Sequence, residues 1–375
     1  MKPGYFAFGV IATTCAGNVS AADLAYNANS IAAYNIMAMQ HVIVNHATNL
    51  PTRENITNVV RKGLDEQRKP DEYGEMVYYG EYGDDTGILP LGGRNGGDVS
   101  NTYIGTNRQN TDELVEHNDG DTSNAYIGAD WQHIDEKVKF KSYPHMDTNL
   151  DFGMIEFGNN YETLDGRPLD LKFFGGYIGG RIKNDAVRIG QDGGVVGIFA
   201  HQTIDNFDIN VVGNFGLMVN NVRELPTTDD FNNIWVSVNA EAAYKFVIDE
   251  YVVIRPNVRG GYMWIYSPNY ELKSGENINN KNFGVFELTP GVDFDANIGD
   301  GWLIGARGAY VINFVNGGET YVEHSKISEL KIDDYFEYGI KLEKHMGDLN
   351  FGLNVGRHDG GRTGWFGGAT IKYLF

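Results

Sequence analysis

Cysteine is nearly absent from this chain of 375 residues: Cys15 stands alone. A disulfide framework and a cysteine-based metal site are therefore excluded. Basic residues are scarce beside acidic ones, 30 Lys and Arg against 50 Asp and Glu, for a formal charge of −20. Such a chain repels nucleic-acid phosphates and does not dock on an anionic bilayer by charge alone. Long hydrophobic runs are missing as well. The mean hydropathy is −0.35, and no stretch supplies the ~20 apolar residues of a transmembrane helix. A membrane β-barrel survives all three exclusions, because its strands alternate apolar with polar residues.

Aromatic rings and glycine are plentiful: Phe, Trp and Tyr make up 13%, with 22 Tyr, and there are 48 Gly. The last stretch shows how they are used. Counting back in twos, one face reads Phe375, Tyr373, Ile371, Ala369, Gly367 and Trp365, and the other Leu374, Lys372, Thr370, Gly368, Phe366 and Gly364. A period of two defines a strand with two faces. The first face has rings at both ends and small or aliphatic residues between, the layout of a strand crossing a bilayer. A strand ending on its last ring needs its free edge tied down, and a closed barrel does this by pairing first strand with last.

From Asp71 onward the pattern predicts twelve strands, centred near Tyr78, Met154, Gly176, Ile198, Gly213, Ala240, Val258, Gly291, Arg307, Gly339, Leu353 and Ala369. The later ones alternate well: Val252, Ile254, Val258, Tyr262 and Trp264 oppose Arg255, Asn257 and Arg259. Segments three and four do not, with Phe173 beside Phe174 and Val195 beside Val196. Pro256 and Pro290 fall inside strands, where bulges are expected. Short links near Asp205-Asn206, Asp249-Glu250, Gly299-Asp300 and Gly347-Asp348 interleave with longer ones at Arg181–Gly194, Asn220–Asn233, Ser267–Asn282 and Val315–Asp333. The longest is Gly83–Asn149. Short turns on one side and long loops on the other are what an outer-membrane barrel shows.

Ahead of the barrel, Asp23–Asn49 reads as a helix capped at Ser30 and stopped by Pro51, with a second amphipathic piece over Thr52–Lys69. Apolar Ile31, Ile36, Met37, Val42 and Ile43 mingle with Asn35, Met39, Gln40, His41 and Asn45. This is too polar for lipid and too apolar for water, and suits a helix enclosed in protein. Residues 1–22 have two readings. Lys2, the apolar Tyr5–Ile11 and the small-residue Val19-Ser20-Ala21 imitate a signal peptide; alternatively they are the tail of an upstream segment. The division is thus 1–22 signal or tail, 23–70 helical plug and linker, and 71–375 barrel with a long loop at 83–149.

These residues resemble the β-domain of type V autotransporters. Ala240–Phe246 followed by Tyr251–Val258 is similar to that family's central hairpin, and Leu288–Val292 and Tyr373-Leu374-Phe375 to its later strands. The resemblance implies an all-β, antiparallel transmembrane barrel of about twelve strands with the N-terminal helix in the lumen. It implies a location in the bacterial outer membrane, contact with outer-membrane lipid, and an upstream passenger segment that reaches the cell surface. It implies that Phe375, Tyr373 and Ile371 form the signal read by the barrel-assembly machinery. The lumen lining expected on parity is Arg255, Asn257, Arg259, Lys341, Glu343, Asn350 and Asn354, with Gly261, Gly339 and Gly352 receiving the apolar side of the helix. Some family members cut themselves between paired asparagines in the helix. Asn27, Asn29, Asn35 and Asn45 include no adjacent pair, so autocleavage is not carried over.

No catalytic residues or cofactor are expected. His345 and His358 share the lumen parity with Glu337 and Glu343, but such groups are read as solvated lining. Asn118-Asp119-Gly120-Asp121 lacks the later bidentate Glu of a calcium loop. The expected function is a translocator. The alternatives are a passive outer-membrane pore, or a surface binding protein using Gly83–Asn149 as its recognition loop.

Overall fold

The protein is described by a computed structural model covering residues 27–48, 125–140, 143–163, 167–184, 187–223, 229–248, 251–271, 275–327 and 331–375. Residues 1–22, the amphipathic piece Thr52–Lys69, the expected strand at Tyr78 and the acidic Asn118–Asp121 lie outside these.

Twelve long strands form the wall. They are β1 Ala125–Phe140, β2 Tyr143–Glu162, β3 Pro168–Lys183, β4 Arg188–Ile204, β5 Phe207–Arg223 and β6 Asp229–Tyr244. They continue with β7 Val252–Tyr266, β8 Phe283–Gly299, β9 Trp302–Gly317, β10 Tyr335–Met346, β11 Leu349–Gly360 and β12 Arg362–Leu374. Each pairs antiparallel with its sequence neighbour, and β12 returns to β1 in continuous register from Tyr126↔Leu374 to Val138↔Arg362. The sheet is a closed barrel without a free edge.

The first wall strand corrects the expected domain layout. Ala125–Phe140, placed by sequence inside one long loop at 83–149, is β1 and carries the seam with β12. Its outward residues Ile127, Ala129 and Trp131 give way to His133 and Asp135, and its inward ones include Asp130, Gln132 and Glu136. In its second half the apolar residues Ile134, Val138 and Phe140 turn inward, and this switch of face hides the alternation. Two expected loops also shrink. Arg181–Gly194 becomes a link of four residues, 184–187, and Asn220–Asn233 one of five, 224–228, because β3 to β6 run on into the expected loops. The expected bulges are absent as well. Register runs unbroken through Pro256↔Val292 and Pro290↔Val258, and the shifts lie instead at Val138/Phe140 and Asn297/Gly299.

The two ends of the barrel differ. At one, β4–β5, β8–β9 and β10–β11 are joined by tight turns in which Asp205, Asp300 and Gly347 take left-handed φ of 55°, 49° and 58°, as hairpins of right-handed twist require. At the other, the links after β7 and β9 build a small sheet from Tyr270–Glu271, Asn277–Asn280, Thr320–Val322 and Ser325–Lys326. Hydrogen bonds from Lys281, Lys326 and Tyr321 hold the Glu319 carboxyl there down at about 2.

Outward-facing side chains form an apolar belt: Trp131 is 50% exposed, Ile340 63% and Leu353 58%. Water would not tolerate so continuous a surface, and lipid favours it. Among the described residues no helix is long and apolar enough to cross a membrane; strands make the crossing.

Candidate functional site

The lumen is occupied by one helix, α1, Ala28–Thr48. It starts two residues before the expected cap. Asn27 accepts the first helical bond from the Ile31 amide, and Ser30, already helical, donates instead to the Gly318 carbonyl at 3.1 Å. Every side chain from Ala28 to His46 is buried, on all sides of the helix, as enclosure in protein demands. At 21 residues a helix this β-branched is marginal on its own in water. Burial of each Ile, Met or Val contributes about 1.5–3 kcal/mol, so packing decides that it forms.

One side of α1 is apolar. Ile31, Ile36, Met39 and Ile43 share a cluster with Met146, Leu150 and Phe152 of β2, Ile178 of β3, Val195 of β4, Met218 of β5 and Trp235 of β6. The apolar side of the helix therefore meets large side chains of β2–β6. It does not rest on Gly261, Gly339 and Gly352, whose nearest side-chain neighbours are wall groups such as Asn239 and Thr370. The reason lies in sequence: β2–β6 carry apolar residues at inward positions as well as outward ones. A chain of amides threads this side. Asn35 donates to Gln191, Gln191 to Asn220 at 2.7 Å, Asn220 to Asn233 at 2.8 Å, and Asn233 back to the helix at Asn29, 2.7 Å.

The opposite side is ionic and centres on Glu337 of β10. Its carboxylate meets His41 Nε2, His358 Nε2 at 3.1 Å, Asn45 Nδ2 at 2.8 and 2.9 Å and Arg307 Nε at 3.2 Å. The far nitrogen of each ring has its own carboxylate: His41 Nδ1 lies 2.8 Å from Glu287, and His358 Nδ1 2.9 Å from Glu136. Arg259 contacts Asn45 and the His41 ring, and Arg362 reaches Glu136 and the Tyr34 carbonyl. Further along, His46 approaches Asp130 at 3.3 Å and Glu156 at 3.6 Å. Beside this half of the helix lies a cavity lined by Asn45, His46, Arg307, Glu337, Lys341, Glu343 and Asn354.

Of the residues expected to line the lumen, Arg259 touches the helix. Arg255 and Asn257 are buried and Lys341 is half-buried, against Asp295 at 3.1 Å, Asp293 at 2.9 Å and Asp295 at 2.9 Å. Glu343 faces His345, and Asn354 exchanges hydrogen bonds with Gln132. Asn350 shares the inward parity of β11, between exposed Phe351 and its partner Lys372. On the helix Asn35, Met39, Gln40 and His41 are all buried. The amide atoms of Gln40 have no hydrogen-bond partner among the described residues. Ile371, Tyr373 and Phe375 point outward. Glu337 and His358 correct the solvated-lining expectation: helix and wall close over both. Glu136, Glu287 and Arg362 were not expected here: Glu136 fell in the expected loop, and the helix partners of the other two, His41 for Glu287 and the Tyr34 carbonyl for Arg362, come from a distant part of the chain.

A closed twelve-stranded antiparallel barrel, apolar outside and filled by a helix, defines an outer-membrane barrel of the plugged kind. The autotransporter β-domain profile matches residues 100–369, and the chain belongs to that family, whose barrels reside in the outer membrane. No curated protein matches the sequence. Among solved structures it is similar to the β-domain of the Bordetella autotransporter BrkA, at 14% identity over 67% of this chain and 100% of that one, TM-score 0.57. It is also similar to the transport unit of AIDA-I from Escherichia coli, at 13% identity over 69% and 92%, TM-score 0.57. The translocator domain of NalP from Neisseria meningitidis matches at 10% identity over 71% and 94%, TM-score 0.58. At these identities the likeness is one of fold.

Proposed function

We propose that this barrel is a translocator that lets an upstream passenger segment reach the cell surface, with α1 held in the lumen. The direction of α1 is the observation that carries this reading. Its first turn meets Gly318 and Asn233 at the long-loop end, and its last turn approaches Asp130 and Glu156, near the start of β1. Long loops of such barrels face the cell exterior and short turns the periplasm. The chain preceding Asn27 is thereby delivered outside. A filled lumen disfavours the passive pore. The surface-binding reading keeps only part of its proposed loop, since Ala125–Phe140 is wall and 83–124 lie outside the described residues. No reaction is assigned: the inward acids and histidines pair with the helix, as Glu337 does, or with other wall residues, as Asp295 and Glu343 do.

An epitope tag inserted immediately before Asn27 tests the reading. Intact cells should bind tag antibody and lose the tag to external protease. Accessibility only after the outer membrane is permeabilised would overturn it.

The reading includes assembly partners. Ile371, Tyr373 and Phe375 lie on the outward face of β12, and recognition of this strand by the barrel-assembly machinery fits strand addition at an edge left open until β1 arrives. Deleting Phe375 should cut the yield of heat-modifiable protein in the outer membrane at least several-fold and leave degraded chain. An unchanged yield removes this role.

A further inference from the structure

We propose that His41, Glu337 and His358 form a three-ligand site for a divalent transition-metal ion of the zinc class, which clamps the plug helix to the barrel wall. The two Nε2 atoms and one Glu337 oxygen lie within 4.8 Å of one another, and all three residues are buried. His358 Nε2 is 3.1 Å from Glu337 Oε2, and His41 Nε2 meets the same oxygen. Ligands at the 2.0–2.2 Å of a tetrahedral zinc site stand about 3.3 Å apart. The His358–Glu337 pair is close to that spacing, while His41 Nε2 stands nearer to the carboxylate and has to draw back to admit the ion.

The surroundings carry the inference further than the triad alone. A ligating histidine is normally oriented by a carboxylate on its other nitrogen. Here both are: His41 Nδ1 on Glu287 at 2.8 Å and His358 Nδ1 on Glu136 at 2.9 Å. Those carboxylates are themselves braced, Glu136 by Arg362 and Glu287 by Thr289 at 3.4 Å. Asn45 and Arg307 hold the Glu337 carboxylate and fix its orientation. Two cations are adverse neighbours: Arg259, 3.1 Å from His41 Nδ1 and 3.4 Å from Nε2, and Arg307, 3.2 Å from the Glu337 carboxylate.

Charge permits the exchange. A ring nitrogen facing a carboxylate oxygen needs a proton between them, and both Nε2 atoms face Glu337. One divalent ion replaces those two protons and leaves the net charge of the cluster unchanged. A cavity that Glu337 shares with Lys341 and Glu343 lies beside the site. The donor set, imidazole with one carboxylate, suits Zn²⁺ or Co²⁺ and is too nitrogen-rich for Ca²⁺ or Mg²⁺.

The test uses the full chain, folded and stripped with a chelator, and Co²⁺ followed by Zn²⁺ as probes. One equivalent of Co²⁺ should bind with the visible absorption of a tetrahedral site, and Zn²⁺ should displace it. His41→Gln and His358→Gln should each weaken binding at least tenfold, while His133→Gln, in an exposed pair with Asp151, should leave it unchanged. Zn²⁺ should also raise the temperature at which the unmodified protein loses its heat-resistant mobility on gels, a readout that does not depend on any variant folding. Absence of stoichiometric Co²⁺ on the unmodified chain overturns the proposal. So does binding that survives both substitutions or is lost with His133.

Discussion

Removing residues 1–48 raises single-channel conductance in planar bilayers several-fold while leaving a barrel that still migrates differently before and after heating. The wall is self-sufficient, since its ladders close on themselves through β1 and β12 and every strand finds its backbone partners without the helix. The helix, about 10–12 Å across, fills the lumen from Asn29 at one end to His46 at the other. Its loss exposes Met146, Leu150, Ile178 and Trp235 to water, so the opened barrel should also unfold at a lower temperature. Equal conductance of truncated and full-length protein would show that α1 does not control the passage.

Replacing Glu337 by Ala, in metal-free protein, destabilises the folded state by about 3–5 kcal/mol, the cost of removing one partner from a buried ion pair. Glu337 is the acceptor for His41, His358, Asn45 and Arg307 together, so its loss strands cationic or donor groups from both helix and wall. A surface pair gives the contrast. Asp359 touches Arg357 at 3.1 Å in the open, and Asp359→Ala should cost no more than about 1 kcal/mol. Equilibrium unfolding of the two variants in detergent decides the matter. Equal, small effects would mean that water reaches the ionic side and screens it.

The strands that proved legible in sequence are those with one face in lipid and the other against charge. In β7, β10 and β11, exposed Tyr262, Ile340 and Leu353 alternate with inward Arg259, Lys341 and Asn354, and both the strands and their lumen faces followed from parity. The strands β3 and β4 resisted because they are apolar on both sides. Phe173 and Val196 point to lipid, while Phe174 and Val195 point to the helix. A two-sided apolar strand has no period to read. What sequence missed altogether, β1, changes its apolar face midway: Ile127 and Trp131 point out in its first half, Ile134, Val138 and Phe140 inward in its second. The Glu337 cluster was half visible: parity turned Glu337 and His358 inward, but no local pattern could say that His41, almost three hundred residues from Glu337 in the chain, would dock on the same carboxylate.

The seam between β1 and β12 has a consequence in time. Its thirteen-residue ladder, Tyr126↔Leu374 to Val138↔Arg362, joins segments from the two extremes of the wall, and such distant contacts form slowly because loop closure must come first. Until the last strand is available the sheet is an open ribbon with two unpaired edges, one apolar surface bare, and no lumen to enclose α1. Order of synthesis therefore cannot become order of folding. Until the seam closes, both edges are open to pairing with another copy.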